Sequence, residues 1–195
     1  MTTPVTARDR AKAERSSALL TASANLFAER GFSGVSLEDI GAAVGVSGPA
    51  VYRHFAGKQA LLGALLVGVS RDLVAGGGSV AEAAPDQDAR IRALIRFHVD
   101  FALTRANVIR VQDRDLAHLS DTDRAEVRRL QRTYIELWMD ALAPLRDVPV
   151  DELRLRVQAV FGLINSTPHS TRTASRAQEE TGAILSSMAY AALTA

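Results

Sequence analysis

Apolar residues recur every three or four positions along nearly the whole chain, and no convincing strand alternation interrupts them. That spacing is typical of amphipathic helices with one buried face. The first such stripe consists of Leu19, Leu20, Ala24, Phe27 and Ala28. It predicts a helix from about residue 11 to residue 30 that ends at Gly31. The chain is therefore expected to be all-α.

The same periodicity predicts the later helices. They are expected over residues 58–74, 87–104, 106–118, 121–146, from Pro149 to Pro168, and 173–193. Gly76, Gly77 and Gly78 followed by Pro85 break the pattern, because glycine and proline weaken or end helices. A flexible connection is therefore predicted over residues 75–86.

Residues 36–58 have the pattern of a helix, a tight turn and a second helix. Ser36 is expected to cap the first helix with Asp39 three positions on. Gly41 is small where the second helix must cross closely, and Gly45 stands where the chain leaves the first helix with positive φ. The segment is therefore predicted to be a helix-turn-helix.

The second helix of this motif is expected to begin with Ser47 as its cap and Pro49 in its first turn. Val51 and Phe55 would face the core. A helix braced in this way presents its other face to the major groove of DNA, so DNA binding is the leading prediction.

Composition and charge place limits on other functions. The 195 residues are 47% hydrophobic, contain no cysteine, and have a formal net charge of only +1. No apolar run is expected to approach the roughly 20 residues that span a bilayer. The polar N-terminus predicts that the chain has no signal peptide. A soluble cytoplasmic protein without membrane attachment or cofactor is predicted. Four cations lie within Arg8–Arg15, either as a disordered tail or as an arm on DNA.

Three segments carry a resemblance to the TetR family of transcriptional regulators. They are Ala28–Phe32, Ile40–Ser47, and Val51–Phe55 followed by Lys58 and Leu61-Leu62. The resemblance lies within residues 15–66, and the remainder is similar only in being helical. It implies a three-helix DNA-binding domain, residues 1–58, joined by a bridging helix to a helical effector-binding and dimerisation domain, residues 59–195. It also implies a repressor released from a palindromic operator by a small effector.

Nine residues are candidates for DNA contact. They are Ser36, Ser47, Gly48, Pro49, Ala50, Tyr52, Arg53, His54 and Lys58. In TetR-like proteins the residues matching Tyr52, His54 and Lys58 contact phosphates, and hydroxyl, imidazole and ammonium groups suit that role. The alternatives are a tyrosine packed on the core, a solvated histidine and a surface lysine. Arg53 can grip guanine or a phosphate, and the pattern does not choose between them. Gly48, Pro49 and Ala50 are small enough to let the helix approach the bases.

Candidate effector contacts lie on apolar helix stripes of the larger domain. They are Phe97, His98, Phe101, Tyr134, Trp138, Phe161 and Asn165. A mostly apolar pocket with few polar anchors suits a lipophilic effector, such as an acyl chain, an acyl-coenzyme A, a steroid or an aromatic drug. The alternative is that these residues are ordinary core, with His98 as a hydrogen-bonded core histidine.

The last two helices carry small residues, among them Ala159, Gly162, Ala183 and Ser186. The resemblance implies that these helices pair with their copies in a homodimer; packing within one chain is the alternative. A dimer places two recognition helices about one DNA turn apart, ~34–36 Å, or farther.

Two other classes of function remain open from the sequence. An enzyme with a hydrophobic cavity would have to use His98, Asp113, Asp115 and His118, of which Asp115 and His118 share a helix face at a spacing that suits a metal. A salt-bridged surface helix explains the same residues. A protein that only sequesters a ligand is the other alternative. No nucleophile motif or phosphate loop favours catalysis, so a non-enzyme is predicted.

Overall fold

A computed structural model describes residues 6–167 and 178–195, which are mostly helical and contain no strand. The helices are α1 (Ala7–Arg30), α2 (Leu37–Ala43), α3 (Gly48–Val51), α4 (Lys58–Glu82), α5 (Gln87–Thr104), α6 (Ala106–Asp115), α7 (Asp121–Leu142), α8 (Val150–Asn165) and α9 (Gln178–Thr194). Short 3₁₀ turns follow α6 and α7. The predicted all-α class is confirmed. The predicted end of α8 at Pro168 and start of the last helix at Thr173 lie outside the described residues.

Helix α1 begins four residues earlier than predicted. Thr6 caps it, because its hydroxyl accepts from the backbone N–H of Asp9 at 3.1 Å and the Asp9 carboxylate accepts from the backbone N–H of Thr6. This is a reciprocal capping box. The cations of Arg8–Arg15 are therefore exposed side chains of α1, so the disordered tail is wrong, and their contact with DNA stays a prediction.

Helix α4 continues through the glycine run to Glu82 and α5 begins at Gln87, so the connection predicted over residues 75–86 is wrong over residues 75–82 and is limited to residues 83–86. A β-carbon at Gly76 would lie 2.5 Å from Cζ of Phe97, and one at Gly77 would lie 2.6 Å from Cε2 of Tyr134. Both distances are too short for any side chain. These two glycines therefore allow aromatic rings to rest directly on the α4 backbone, which offsets their low helix propensity.

The residues fall into two compact units. Unit 1 comprises Met1–Leu66 and Val111–Arg124, and unit 2 comprises Val67–Arg110 and Ala125–Ala195. The predicted division at residue 58 concerns function and stays a prediction. The compact units are divided differently, because a segment from the middle of the chain packs in unit 1.

The segment Val111–Arg124 packs against the C-terminal end of α1. Arg114 donates to the carbonyls of Phe27 and Ala28, and its guanidinium is also paired with the buried Asp115 at 3.1 Å. His118 stacks on Phe32 with ring centroids 4.7 Å apart. The description of Asp115 as part of a surface salt bridge is thus wrong: its carboxylate is buried. No cluster of three or more metal-ligating side chains occurs in residues 6–167 and 178–195.

Unit 2 has its own core. Among its fully buried side chains are Ile91, Leu94, Trp138, Val157 and Ile164, so α5, α7 and α8 all contribute. Helix α9 packs on α5 and α8. Near its end the Tyr190 hydroxyl donates to Asp88, and the Arg92 guanidinium lies 3.6 Å from the centre of the Tyr190 ring.

Among the described residues, one helix meets the length and hydropathy of a membrane span, contrary to the expectation that no apolar run approaches it. This is α4, with an 18-residue window of mean hydropathy 1.5. Half of that window is buried inside the protein. Leu61, Leu62 and Leu66 are fully buried, and Arg71 pairs with Glu126 at 3.2 Å. These are features of a core helix.

Candidate DNA-binding site and effector pocket

Helix α2 is fixed at its start by the predicted capping box. The Asp39 backbone N–H donates to the Ser36 hydroxyl at 3.0 Å, and the Ser36 backbone N–H donates to the Asp39 carboxylate at 2.8 Å. The donated hydrogen bonds from the Ser36 hydroxyl and backbone N–H lower the pKa of Asp39. Ser36 therefore has the capping role; its hydroxyl is already engaged, and a phosphate contact there stays a prediction.

The turn between α2 and α3 has the predicted geometry. Gly45 has φ +71°, which glycine adopts at little cost. A β-carbon at Gly41 would lie 2.7 Å from the carbonyl oxygen of Val46, and the Val46 N–H donates to the Gly41 carbonyl at 2.9 Å. The close crossing that required glycine at position 41 is confirmed. It sets the angle at which α3 leaves the turn.

Helix α3 itself is short. Its four residues Gly48–Val51 continue as a helical turn, in which the N–H groups of His54 and Phe55 donate to the Val51 carbonyl. Pro49 lies in the first turn, as predicted. Ser47 is the N-cap residue, as predicted, but its hydroxyl makes no capping hydrogen bond; its backbone carbonyl accepts from the Ala50 N–H.

The surface of α3 is smaller than the sequence indicated. Gly48 is buried against Glu38, where a β-carbon would lie 2.9 Å from Oε1, so it presents no side-chain surface to the bases. Pro49 and Arg53 are exposed and Ala50 is half-buried. Arg53 has no ion pair among the described residues, and Tyr52 is 58% exposed, which rules out the alternative that Tyr52 packs on the core.

Two of the candidate phosphate contacts also hold unit 1 together. His54 Nδ1 lies 2.9 Å from the Ser16 hydroxyl on α1. The Lys58 ammonium donates to the carbonyls of Phe32 and Val35 at 2.8 and 2.7 Å and lies 4.5 Å from the centre of the Phe32 ring. The alternatives of a solvated histidine and a free surface lysine are therefore wrong. Sequence reasoning missed these partners.

The candidate effector residues mostly come together in unit 2. We call His98, Tyr134, Trp138 and Phe161 the aromatic cluster. Phe161 stacks on His98 and Tyr134 with centroids 4.6 and 5.5 Å apart, and its ring meets the edge of Trp138 at 4.9 Å. Phe101 lies beside it, 6.0 Å from His98. Phe97 lies against Gly76 of α4.

His98 is buried among these rings. Its Nδ1 lies 3.4 Å from the Tyr134 hydroxyl, at the outer limit of a hydrogen bond. Burial lowers the pKa of His98 to about 4, with the neighbouring Asn165 side chain acting weakly in the opposite direction. The imidazole is therefore neutral at pH 7. Burial also raises the pKa of the Tyr134 phenol.

A second concave feature lies elsewhere in unit 2. It is an open groove of about 710 Å³ between α5 and α9, within the volume range of small-molecule pockets. Arg92, Arg96, Val99, Leu103 and Gly182 are among its lining residues, and none of the seven predicted effector residues is. Small residues of α9 leave room there, a signal that was present in the sequence but had been assigned to dimerisation.

The close turn, the braced short helix and the exposed Tyr52 and Arg53 define a helix-turn-helix DNA-binding protein. Two family models match the chain: bacterial regulatory proteins of the tetR family over residues 19–65, and the tetracyclin repressor-like C-terminal domain over residues 84–169. The chain belongs to the TetR family of transcriptional regulators.

Individual relatives agree with this assignment. The chain is 27% identical over 143 residues to the HTH-type transcriptional repressor KstR2 of Rhodococcus jostii, covering 73% of this chain and 70% of that protein. A TetR-family regulator from Bordetella parapertussis has the same fold, with TM-score 0.80, 21% identity and coverage of 89% and 93% of the two chains. AibR, solved with isovaleryl coenzyme A and operator DNA, has TM-score 0.73 at 21% identity over 89% of this chain and 97% of its own.

Proposed function

We propose that this protein is a dimeric repressor whose hold on a palindromic operator is controlled by a small apolar effector. The observation that carries the proposal is the helix-turn-helix of unit 1 with its exposed Tyr52 and Arg53. The matching family consists of bacterial regulatory proteins, and the relative KstR2 is a transcriptional repressor, which favours regulation over catalysis or simple sequestration. As a DNA-binding regulator it works in the cytoplasm.

The DNA contacts divide by chemistry. Tyr52 and Lys58 are assigned to phosphates, to which a phenol and an ammonium can donate hydrogen bonds. His54 has Nδ1 engaged by Ser16, which leaves Nε2 for a phosphate oxygen. Arg53 is exposed just after α3 and can form two hydrogen bonds with a guanine edge, so it is assigned to a guanine. Ser36, Ser47, Pro49 and Ala50 lie along the same motif, with Gly48 contributing only backbone.

Dimerisation is assigned to α8 and α9. Leu155 on α8 is 65% exposed, and Ile184 and Met188 on α9 are 40% and 49% exposed. Ala159 and Gly162 continue the exposed face of α8 with small residues, which let helices pack closely. An apolar strip on two adjacent helices suits a two-fold interface, where the same surface serves both copies.

Effector control is assigned to unit 2 and passes through α4. The rings of Phe97 and Tyr134 rest on the α4 backbone at Gly76 and Gly77, so a ligand that pushes these rings towards α4 also pushes the helix. The same helix begins at Lys58 in unit 1. Release requires that the effector bind the two states with different affinity, since equal affinity shifts nothing.

DNA binding is tested by fluorescence anisotropy with operators selected from a genomic DNA pool, each compared with scrambled DNA at two salt concentrations. The wild type should bind selectively and weaken steeply with salt. Arg53→Ala should relax discrimination at one base pair by about 1–3 kcal/mol. The exposed Arg105→Ala in unit 2 is the control, with unchanged binding. Equal affinity for every DNA would refute the proposal.

A further inference from the structure

The aromatic cluster contains polar atoms that the protein leaves unsatisfied. Five buried side-chain nitrogen or oxygen atoms of the described residues have no hydrogen-bond partner, and three of them belong to this one place. They are Nε2 of His98, Nε1 of Trp138 and Oδ1 of Asn165. Each unsatisfied atom costs about 1–3 kcal/mol, and three together are too many for an ordinary core. The Asn165 side chain approaches His98 and the Trp138 side chain approaches Tyr134, but neither contact has the geometry of a hydrogen bond.

The unmet atoms have a definite chemistry. The Trp138 Nε1–H can only donate, so it needs an acceptor. The Asn165 Oδ1 can only accept, so it needs a donor. His98 Nε2 takes either role, according to whether its Nδ1 accepts from or donates to Tyr134. A group that complements this set must both accept and donate hydrogen bonds.

A hydroxyl is the smallest organic group with one donor and two acceptor lone pairs. We propose that the aromatic cluster and the adjacent Asn165 bind the effector through an uncharged hydroxyl group. The Trp138 N–H donates a hydrogen bond to the hydroxyl oxygen, and the hydroxyl donates a hydrogen bond to Oδ1 of Asn165. The effector is thus an alcohol or phenol carried on an apolar, ring-sized body. This inference rests on the proposed function, because it specifies the effector of that regulator.

Charge excludes the obvious rivals. His98 is neutral at pH 7, since burial lowers its pKa to about 4, and it has no positive charge to offer a carboxylate. No acidic side chain belongs to the cluster, so an ammonium would also be desolvated without a partner. Phe101, Phe161 and Asn165 are only partly buried, which gives the cluster a side open to solvent.

Trp138 is the only tryptophan of the chain, so its fluorescence reports directly on the site. The test uses four probes that carry the same cyclohexyl ring and do not absorb where tryptophan is excited. They are 2-cyclohexylethanol, its methyl ether, cyclohexylacetate and 2-cyclohexylethylammonium, all at pH 7.5. The alcohol should bind about tenfold more tightly than the ether, which accepts but cannot donate. The two ions should not bind at concentrations that saturate with alcohol. Equal binding of alcohol and ether, or tighter binding of either ion, would overturn the proposal.

Two variants locate the interaction. Asn165→Leu should abolish the preference for the alcohol over the ether while leaving binding of the ether unchanged. Gly182→Leu fills the groove between α5 and α9 and should change neither affinity. Loss of alcohol binding in Gly182→Leu but not in Asn165→Leu would place the ligand in the groove and overturn the assignment. Operator binding by the same preparations is measured in parallel: intact selective binding without an alcohol preference refutes only this inference, whereas absent operator binding refutes the proposed function.

Discussion

Lys58 shows how a residue assigned to DNA can also be part of the fold. Its ammonium has two backbone carbonyls and a ring as partners, all from the loop between α1 and α2. These contacts join the start of α4 to the start of the helix-turn-helix. The same geometry fixes the lysine side chain before DNA arrives, which lowers the entropy that binding must offset.

Lys58→Met is therefore expected to destabilise the protein as well as weaken DNA binding. The free energy of unfolding should fall by about 1–3 kcal/mol, because two carbonyls lose a charged donor. Urea unfolding followed by circular dichroism measures it. Lys12→Met, on the exposed face of α1, should change stability by no more than about 0.5 kcal/mol. A stable Lys58→Met protein would mean that the lysine serves DNA alone.

His98 makes stability depend on pH in a definite window. In the unfolded chain its pKa is near 6.5, and in the folded protein burial lowers the pKa to about 4. Between these values the unfolded state binds more protons, so stability falls as pH falls from 6.5 to 4, by about 3 kcal/mol in all. Urea unfolding at several pH values should show a flatter profile for His98→Phe than for the wild type. Parallel profiles would show that His98 does not titrate in this way.

The conformations of single residues were predicted correctly from the sequence where they depend on residues nearby in the chain. The Ser36 cap, the positive φ of Gly45 and the close crossing at Gly41 each depend on neighbours within six positions. The partners of Lys58 lie 23 and 26 positions away, and no periodicity indicates such a pair. The same is true of Arg114 and the end of α1. The aromatic cluster was anticipated as a set of residues, but its unsatisfied atoms required coordinates.

Among the helices, α4 departs most from the predicted pattern. Three consecutive glycines were expected to interrupt it, because each costs up to about 1 kcal/mol relative to alanine within a helix. Packing offsets the low helix propensity of these glycines, because aromatic rings leave no room for a side chain at Gly76 and Gly77. Gly78 has no neighbouring atom within 4 Å of where its β-carbon would lie.

This difference gives a matched pair of variants. Gly77→Ala should lower the free energy of unfolding by about 1–3 kcal/mol, because its methyl group would push Tyr134 away. Gly78→Ala should raise it by about 0.5–1 kcal/mol, because it gains helix propensity and touches nothing. Thermal and urea unfolding of both variants against the wild type provide the measurement. Stabilisation by both substitutions would contradict the packing described for α4.

On the scale of the whole protein, two units and an exposed apolar strip point to assembly. The packing of Val111–Arg124 into unit 1 could not be predicted from the helix pattern, because it depends on buried contacts such as Arg114 with Phe27. The helix-turn-helix was predictable, because it has a local signature, whereas the rest of the chain has none. The apolar strip of Leu155, Ile184 and Met188 was visible in sequence only as small and apolar residues.

Met188→Glu is expected to disrupt the dimer. Placing a carboxylate at the centre of an apolar interface should cost about 2 kcal/mol or more, or about 30-fold in the dimer dissociation constant. Sedimentation velocity over a concentration series measures it, with the exposed Ala83→Glu as a charge-matched control. Because the variant dimerises less, its affinity for a full palindrome should be lower than that of the wild type, while its affinity for a half-site stays unchanged. An unaltered dimer would place the interface elsewhere.

The short length of α3 also limits how well one copy of this protein can distinguish its operator from other DNA sequences. Only one side chain there is assigned to a base, Arg53 in the turn that continues α3, because the neighbouring Tyr52 and His54 are assigned to phosphates. One well-made contact discriminates by about 1–3 kcal/mol, whereas a bacterial chromosome offers on the order of a million competing positions. A single half-site therefore carries too little information to be found alone. The identity of a target is encoded mainly in the interval between two degenerate half-sites, so operators of this regulator should tolerate base changes far better than a one-base insertion at their centre.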